Sequence, residues 1–222
     1  MFKLDKRIDS NNEKLEYLQY LKYSAFYYYV WFVRRDSLNI YFLSSNEHKI
    51  NEVKSILDSD DITVLAVKEK ISEIQSNNMN EIAIDKALKA FMSIGRPILV
   101  EQTGLLLKDL GGLPGGLTQI FWDSLQADGF SKYFSATETG QVIAKTVIAY
   151  CDGKQIQTFE GEITGLIISP PRGNRDFQWD CIFQPDTYKE TFAEMGEKKN
   201  NISMRKIALE KLRNYLEGNY VR

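Results

Sequence analysis

Short apolar runs alternate with amphipathic stretches in the middle of the chain. The runs at 39–45 (NIYFLSS), 62–67 (ITVLAV) and 98–102 (ILVEQ) are rich in β-branched and aromatic residues, which is typical of strands. Between them, the stretches at 48–57 (HKINEVKSIL) and 81–94 (EIAIDKALKAFMSI) repeat apolar residues at helical spacing. This alternation predicts an α/β fold whose sheet has a substantial parallel component.

The pattern changes in the second half of the chain. The segment at 111–116 (GGLPGG) predicts a loop, and a helical run follows at 117–125. The stretches at 142–153 and 154–169 predict two antiparallel strands around an Asp-Gly turn. A terminal helix is predicted at 202–217. Together with the first half, these elements predict a single compact domain with two lobes.

The N-terminal part differs from the rest in its aromatic content. Residues 11–34 show helical spacing of apolar side chains, so residues 1–38 are predicted to be a helical extension of a domain at 39–222. Its aromatic stretch at 23–33 (YSAFYYYVWFV) is about half the length of a transmembrane helix. We therefore expect a packed helix and no membrane span. It either covers the sheet or faces a partner, because aromatic residues are favoured at interfaces.

The composition of the chain argues against several classes of function. The 222 residues carry a net charge of -2 without a long basic tract, so bulk attraction to nucleic acid is not expected. Cys151 and Cys181 lie far apart and form no CxxC pattern, which favours a reducing cytoplasmic setting. His48 is the single histidine, and this excludes a metal centre built from several histidines. The start of the chain lacks the pattern of a secretory signal.

Polar clusters follow two of the predicted strands. Residues 44–49 (SSNEHK) lie at a strand-to-helix turn, where backbone N–H groups and Lys49 could receive phosphate oxygens. Ser and Asn also cap helices without any ligand, so this signal is weak alone. Residues 101–104 (EQTG) form the second cluster, which is either a site at a strand end or an ordinary strand terminus. It offers one carboxylate where two would indicate magnesium.

Two further clusters lie near the C-terminus. In residues 177–185 (FQWDCIFQP), Phe177 and Trp179 are predicted to lie on one side of an extended segment and to stack a flat ring, with Asp180 accepting its N–H groups. A core strand with one exposed acid is the alternative. Residues 197–205 (EKKNNISMR) place basic side chains near a helix start, although most such runs are solvated surface.

In their combined order these motifs resemble the inosine triphosphate pyrophosphatase family, which cleaves non-canonical purine triphosphates such as ITP, dITP and XTP to the monophosphate and pyrophosphate. The resemblance spans residues 39–217 and rests on SSNEHKINEV, VEQTGLLLKDLGGLPGG, FEGEITGLIISPPRGNRDFQWDCIFQP and TFAEMGEKKNNISMRKIAL. It implies an elongated α/β fold with a central twisted mixed sheet, two lobes flanking a nucleotide cleft, magnesium-dependent catalysis and a homodimer.

The resemblance also assigns roles to individual positions. The metal positions correspond to Glu73 and Glu101. The nucleotide-binding positions correspond to Ser45, Asn46, Lys49, Lys86, Gln102, Thr103, Phe177, Trp179, Asp180, Lys199, Met204 and Arg205. Most of the residues expected to hold a base and a triphosphate are thus retained.

Three positions depart from the family pattern. Gln102 stands where the family has an Asp that helps hold magnesium and activates the attacking water, and Gln119 stands in place of a phosphate-facing Lys. Met204 replaces a histidine that contacts the purine oxygen. An amide accepts no proton at neutral pH and brings no negative charge to a metal. No intact catalytic set is therefore expected.

The pattern of loss leads to the main functional hypothesis. A protein that keeps recognition and loses the hydrolytic Asp would bind dITP or ITP, and XTP as a further ligand, with little or no hydrolysis. Such a protein suits a sensor or regulatory subunit for a partner effector, as in anti-phage defence systems of the Kongming type, by family-level analogy. The alternative is an active or slow magnesium-dependent pyrophosphatase.

Overall fold

A mixed seven-stranded sheet organises residues 37–220, the part of the chain that the computed structural model describes. The strands are β1 (Leu38–Leu43), β2 (Ile62–Val67), β3 (Ile98–Leu107), β4 (Pro114–Gly115), β5 (Gln141–Cys151), β6 (Ile156–Ile167) and β7 (Phe183–Pro185). Their order is β2-β1-β3-β5-β6-β7, and β4 pairs with β3. β1 is parallel to β2 and β3, whereas the other pairs are antiparallel. The predicted α/β fold with a mixed sheet is confirmed.

Five α-helices surround this sheet within the described residues. They are α1 (Glu47–Leu57), α2 (Met79–Ile94), α3 (Thr118–Phe134), α4 (Phe192–Met195) and α5 (Met204–Asn219). Short 3-10 turns occupy Lys108–Leu110, Gln178–Cys181 and Gly196–Asn201. No described helix is both long and apolar enough to cross a membrane.

The helix ends follow the local signals in the sequence. Gly95 ends α2 in the left-handed conformation (φ 66°), which a residue without a Cβ adopts at little cost. Ser203 caps α5 by accepting from the backbone N–H of Lys206 at 3.1 Å. The predicted GGLPGG loop differs in one respect, because Pro114 and Gly115 pair with β3. The predicted helix at 11–34 lies outside the described residues, so the predicted boundary at 38 stays a prediction.

The core divides into three apolar clusters. Apolar residues of α1 and α5 pack on one face of the sheet, and the small side chains of α2 pack on the other face. The third cluster joins α3, α4 and β7. α1 and α5 pack on the same face of the sheet that contains β3. Polar side chains on these three elements can therefore meet in the interior.

Two glycines permit the close approaches that position this region. A Cβ at Gly161 on β6 would lie 1.9 Å from the carbonyl oxygen of Met204, so Gly161 lets the start of α5 approach the sheet. A Cβ at Gly104 would lie 2.3 Å from the carbonyl oxygen of Gly115, so Gly104 lets β4 pack against β3. Any larger residue would displace these segments.

Candidate functional site

The turn between β1 and α1 combines a helix cap with a cavity wall. The Asn46 side chain accepts from the backbone N–H of Lys49 at 3.1 Å, and the Ser44 hydroxyl accepts from the N–H of Asn46 at 3.2 Å. The capping interpretation therefore holds for these side chains. Ser45, Asn46 and Lys49 also line a cavity of about 640 Å³. The turn thus presents a helix N-terminus and an ammonium group to one space, which suits an anion.

Four lysines line this cavity, which we call the lysine cavity. The lining includes Ser45, Asn46, Lys49, Lys68, Lys70, Glu73, Lys86, Glu101 and Gln178. Several chain segments contribute to it, so its positive side chains are brought together by the fold and not by one basic tract. A concentration of ammonium groups of this kind favours a small polyanion.

Three of these lysines already have acidic partners. The Lys68 ammonium lies 2.6 Å from a Glu47 oxygen. The Lys49 ammonium lies 2.9 Å from a Glu101 oxygen, and the Lys86 ammonium lies 2.5 Å from a Glu73 oxygen. Lys70 lines the same cavity, and among the described residues it has no acidic partner within ion-pair distance. Lys70 has no distinguishing local pattern in the sequence, because it is one lysine in a charged loop.

A buried ion network lies behind the cavity. The Arg205 Nε and Nη2 atoms donate to Glu101 at 2.6 and 3.0 Å, and Nη1 donates to Glu52 at 2.5 Å. Burial alone would raise the pKa of Glu101, but Arg205 and Lys49 hold that pKa well below its usual range. Arg205 is 3% exposed. The guanidinium predicted to contact nucleotide therefore pairs with two carboxylates across α1, β3 and α5.

The predicted metal ligands do not fit a resident magnesium site. Glu73 and Glu101 line the same cavity, but Glu73 pairs with Lys86 and Glu101 pairs with Arg205. Gln102 adds no charge where the family has an acid. No group of three or more acidic, histidine or cysteine side chains among residues 37–220 is arranged to hold a metal ion. A magnesium ion here would need most of its oxygen ligands from a bound phosphate chain.

A second cavity, of about 520 Å³, contains the aromatic element of the site. We call it the aromatic cavity, and its lining includes His48, Glu52, Phe177, Asp180, Phe192 and Lys199. The Lys199 ammonium lies 3.9 Å from the centroid of the Phe177 ring, and the His48 ring meets Phe177 edge-on at 6.1 Å. Lys199 also donates to the Asp180 carboxylate. Burial raises the pKa of Asp180 above its usual value, against the opposing effect of Lys199.

The expected alternation of Phe177 and Trp179 on one side of a strand is wrong. The segment Gln178–Cys181 is a 3-10 turn that begins with a positive φ of 43° at Gln178. Trp179 is 4% exposed and packs edge-on against Phe183 in the third core cluster. Phe177 is half-buried and faces the aromatic cavity. The tight turn separates the two rings, which an extended strand would have kept together.

Three other predicted residues lie behind the cavities. The Thr103 hydroxyl donates to Glu101 at 2.8 Å and thereby supports that carboxylate. Gln102 is 9% exposed and its amide donates to the Gly116 carbonyl at 3.4 Å, so it extends away from Glu101, as expected for neighbours on a strand. Met204 is buried in the third core cluster.

Gln119 lies on the first turn of α3. Its Nε2 donates to Asp123 at 2.7 Å, and its Oε1 accepts from Gln178 Nε2 at 2.6 Å. Gln178 lines the lysine cavity. The position that departs from the family lysine is therefore connected to the turn that carries Phe177 and Asp180.

Sequence reasoning missed one face of α1. His48, Asn51, Glu52 and Ser55 all line the aromatic cavity. Their spacing places them on one side of a helix, so helical periodicity of polar residues was a usable signal. It was missed because polar residues on one helix face are usually read as solvated surface.

The two cavities adjoin. His48 and Lys49 are consecutive but line different cavities, and Arg205 bridges Glu52 of the aromatic cavity and Glu101 of the lysine cavity. The aromatic cavity offers a ring and a carboxylate, and the lysine cavity offers ammonium groups. The fold and site therefore define an α/β protein whose cleft suits a ligand with a flat polar ring and an anionic tail.

Comparison with known proteins agrees with this class. A sequence model of the Ham1 family matches residues 40–215, and the chain belongs to that family. It is 38% identical to the inosine triphosphate pyrophosphatase of Yarrowia lipolytica, over 81% of this chain and 96% of the relative. It is 33% identical to the dITP/XTP pyrophosphatase of Hyperthermus butylicus, over 78% of this chain and 92% of the relative. A HAM1 protein structure from Coxiella burnetii covers 82% of this chain and 99% of its own, with a TM-score of 0.72 and 26% identity.

Proposed function

We propose that this protein binds triphosphates of non-canonical purines, such as ITP, dITP and XTP, across the two adjoining cavities. The base lies in the aromatic cavity, and the phosphates lie in the lysine cavity. The half-buried Phe177 ring offers a stacking surface, because any base has a face that stacks on an aromatic side chain. The similarity to an inosine triphosphate pyrophosphatase and to a dITP/XTP pyrophosphatase supports this ligand class.

The edge of the base is matched by a donor and an acceptor. A 6-oxo purine presents a carbonyl oxygen beside a ring N–H, and adenine presents the reverse order. The Lys199 ammonium can donate to the oxygen, and the Asp180 carboxylate can accept from the N–H. Since Lys199 and Asp180 already touch each other, a 6-oxo base would insert into an existing donor–acceptor pair.

The fate of the bound nucleotide has two candidate answers. The names of the relatives favour cleavage to monophosphate and pyrophosphate, more directly than they favour retention. Gln102 favours retention, because its amide stands on β3 where the family has the acid that activates water. General base catalysis is typically worth about 10² to 10⁴ in rate. We infer that this site retains its nucleotide with slow or no cleavage, and the observation that carries this inference is the uncharged side chain at Gln102.

A retained nucleotide can report its presence to another molecule. We therefore propose a sensor or regulatory role, in which binding changes contact with a partner effector, as in the anti-phage systems named above. A homodimer and a cytoplasmic setting belong to the same proposal. The buried, unpaired thiols of Cys151 and Cys181 are compatible with a reducing compartment.

Pyrophosphate release and calorimetric binding, measured on the same preparation with dITP, ITP, XTP and dATP, test the proposal. We expect binding of the 6-oxo nucleotides and intact nucleotide after prolonged incubation. Turnover at ordinary enzyme rates, about 1 to 10³ per second, would replace retention by the pyrophosphatase function. If none of these nucleotides binds, the proposed ligand class is rejected.

Magnesium is tested in the same experiment. Binding and turnover are compared with magnesium and with EDTA. Since Glu73 and Glu101 are both paired with cations, we expect metal to act on affinity only together with a nucleotide, and we expect no magnesium binding by the free protein. A calorimetric magnesium signal without nucleotide would contradict this expectation.

A further inference from the structure

We propose that the hydrogen bond between Gln178 and Gln119 is a positioning bridge that fixes the turn carrying Phe177 and Asp180, and thereby sets affinity for the base. The proposal rests on the proposed function, because it concerns the same cleft. It assigns a role to Gln119, which lines neither cavity, and to Gln178, which lines the lysine cavity.

The first observation is the backbone of Gln178. Its φ of 43° lies in the left-handed region, which is disfavoured for residues with a Cβ. Such a conformation persists only where surrounding contacts hold it in place. The backbone hydrogen bonds of the turn include an Asp180 N–H to Phe177 carbonyl bond at 3.2 Å, an Ile182 N–H to Trp179 carbonyl bond at 3.0 Å and an Arg172 N–H to Cys181 carbonyl bond at 2.8 Å. The side chain of Gln178 adds a contact with an element outside the turn.

That contact belongs to a hydrogen-bonded chain of three side chains. Gln178 Nε2 donates to Gln119 Oε1 at 2.6 Å, and Gln119 Nε2 donates to Asp123 Oδ1 at 2.7 Å. Gln119 thus uses both ends of its amide. A lysine at this position could not accept from Gln178, because an ammonium group carries no acceptor. The bridge therefore requires the very residue that departs from the family pattern.

The location of the bridge connects it to ligand binding. Gln178 lines the lysine cavity, while its neighbours Phe177 and Asp180 line the aromatic cavity. The other end is anchored on α3, whose Trp122 and Phe130 rings pack together in the core at 5.8 Å. The part of α3 before its break at Gln126 (φ 53°), which Trp122 anchors in the core, therefore contacts this turn at the boundary between the two cavities. Loosening the bridge would move the stacking ring and the acceptor, and would leave the lysines in place.

The test separates the base from the phosphates. Calorimetry compares dITP with inorganic triphosphate for the wild type, Gln119→Met, Gln178→Met and the double variant. Each single substitution should weaken dITP binding about 3- to 10-fold, the range of one hydrogen bond. Gln119→Met should leave triphosphate binding unchanged, because Gln119 lines neither cavity. The double variant should be no weaker than either single variant, because both remove the same interaction.

A matched control is available elsewhere in the chain. Gln157 donates to Gln155 at 3.2 Å on the surface near the β5–β6 turn, away from both cavities. Gln157→Met removes an equivalent amide bond and should leave dITP affinity unchanged. If the Gln119 and Gln178 variants match this control, the bridge proposal is overturned. Additive losses in the double variant, or equal losses of dITP and triphosphate binding in Gln119→Met, would also overturn it.

A second measurement needs no ligand. Hydrogen exchange of the amides at 177–182 should be faster in Gln119→Met than in the wild type, because the turn loses one of its contacts with other segments. Unchanged exchange of these amides would overturn the bridge proposal, even for a protein that binds no dITP. Failure of the proposed function is recognised separately, since the wild-type protein would then bind no dITP.

Discussion

Phe177 and Trp179 are two residues apart and have opposite surroundings. One ring faces a cavity beside Lys199, and the other is enclosed in the core against Phe183. Both residues match positions associated with base contact in the family, so sequence alone cannot distinguish their roles in this chain. The structure places Phe177 in the lining of the aromatic cavity and Trp179 in the core, which gives substitutions at these sites different expected effects.

Phe177→Ala and Trp179→Ala should separate binding from stability. Phe177→Ala should weaken dITP binding by about 1–3 kcal/mol, the usual value of stacking on an aromatic side chain, with little change in stability. Trp179→Ala should lower the free energy of unfolding by about 3–5 kcal/mol, because it leaves a core cavity. Calorimetry and urea denaturation measure the two effects. Equal loss of stability in both variants would contradict the assignment.

Gln102→Asp tests whether the amide at this position limits cleavage of the nucleotide. The carboxylate should raise the rate of pyrophosphate release from dITP by about 10²-fold or more, the lower end of general base catalysis. Gln102→Asn is the matched control, because it shortens the side chain equally and keeps the amide. A similar gain in the Asn variant would show that size, and not charge, limits cleavage. A discontinuous pyrophosphate assay with magnesium is sufficient for both.

At the scale of elements, one ion network joins α1, β3 and α5. Glu52, Glu101 and Arg205 come from these three elements and are all buried. Breaking a buried ion pair by removing one partner leaves an uncompensated charge and is strongly destabilising. The network therefore fixes the relation of the two cavities, which adjoin at these elements, as well as stabilising the fold.

The pH dependence of stability should reveal the Glu101 carboxylate. Its pKa in the folded protein lies well below the unfolded value of about 4.3, so its ionised form stabilises the fold at neutral pH. That contribution is present above the unfolded pKa and is lost as pH falls toward the folded pKa. The difference in unfolding free energy between wild type and Glu101→Gln should be constant from pH 7 to about pH 5 and shrink below about pH 4.

Urea denaturation of both proteins across this pH range measures that difference. Glu210→Gln is a suitable control, since Glu210 is an exposed residue of α5 that lies 3.6 Å from Lys206 in an i,i+4 pair. Exposed pairs of this kind contribute little. The interpretation fails if the Glu101 difference already declines between pH 7 and pH 5.

At the scale of the whole molecule, ligand binding should couple to global stability. The cavities are lined from most layers of the fold, with contributions from α1, α2, β3 and the segments around α4. A ligand that binds the folded state and not the unfolded state stabilises by RT ln(1 + [L]/Kd). Binding here would therefore reinforce contacts between layers that pack on different faces of the sheet.

Thermal unfolding should report this coupling. At about 100 times its Kd, dITP should stabilise the protein by about 2.7 kcal/mol. For a protein of this size, that corresponds to a rise in Tm of about 5–10 °C. The same concentration of dATP should give a smaller shift, because its base presents the reverse donor and acceptor order to Lys199 and Asp180. Equal shifts for the two nucleotides would contradict the proposed recognition of the base edge.

Local signals in the sequence determined most of the fold. Strand and helix periodicity placed β1, β2 and α2 within a few residues of their observed bounds, because side-chain spacing within one element depends on its own repeat. The left-handed end at Gly95 and the Asp-Gly turn between β5 and β6 followed from backbone chemistry. The motif order identified the family.

The tertiary structure decided how the charged and aromatic side chains are used. Arg205 pairs with Glu101, 104 positions earlier, and Gln178 bonds to Gln119, 59 positions earlier. No local pattern encodes such pairs, because they depend on which elements the sheet topology brings together. Trp179 was misplaced for a related reason, since a single tight turn reverses which face of a segment is buried. The sequence thus determined which residue types the site contains, and the packing of α1, β3 and α5 determined how they are arranged.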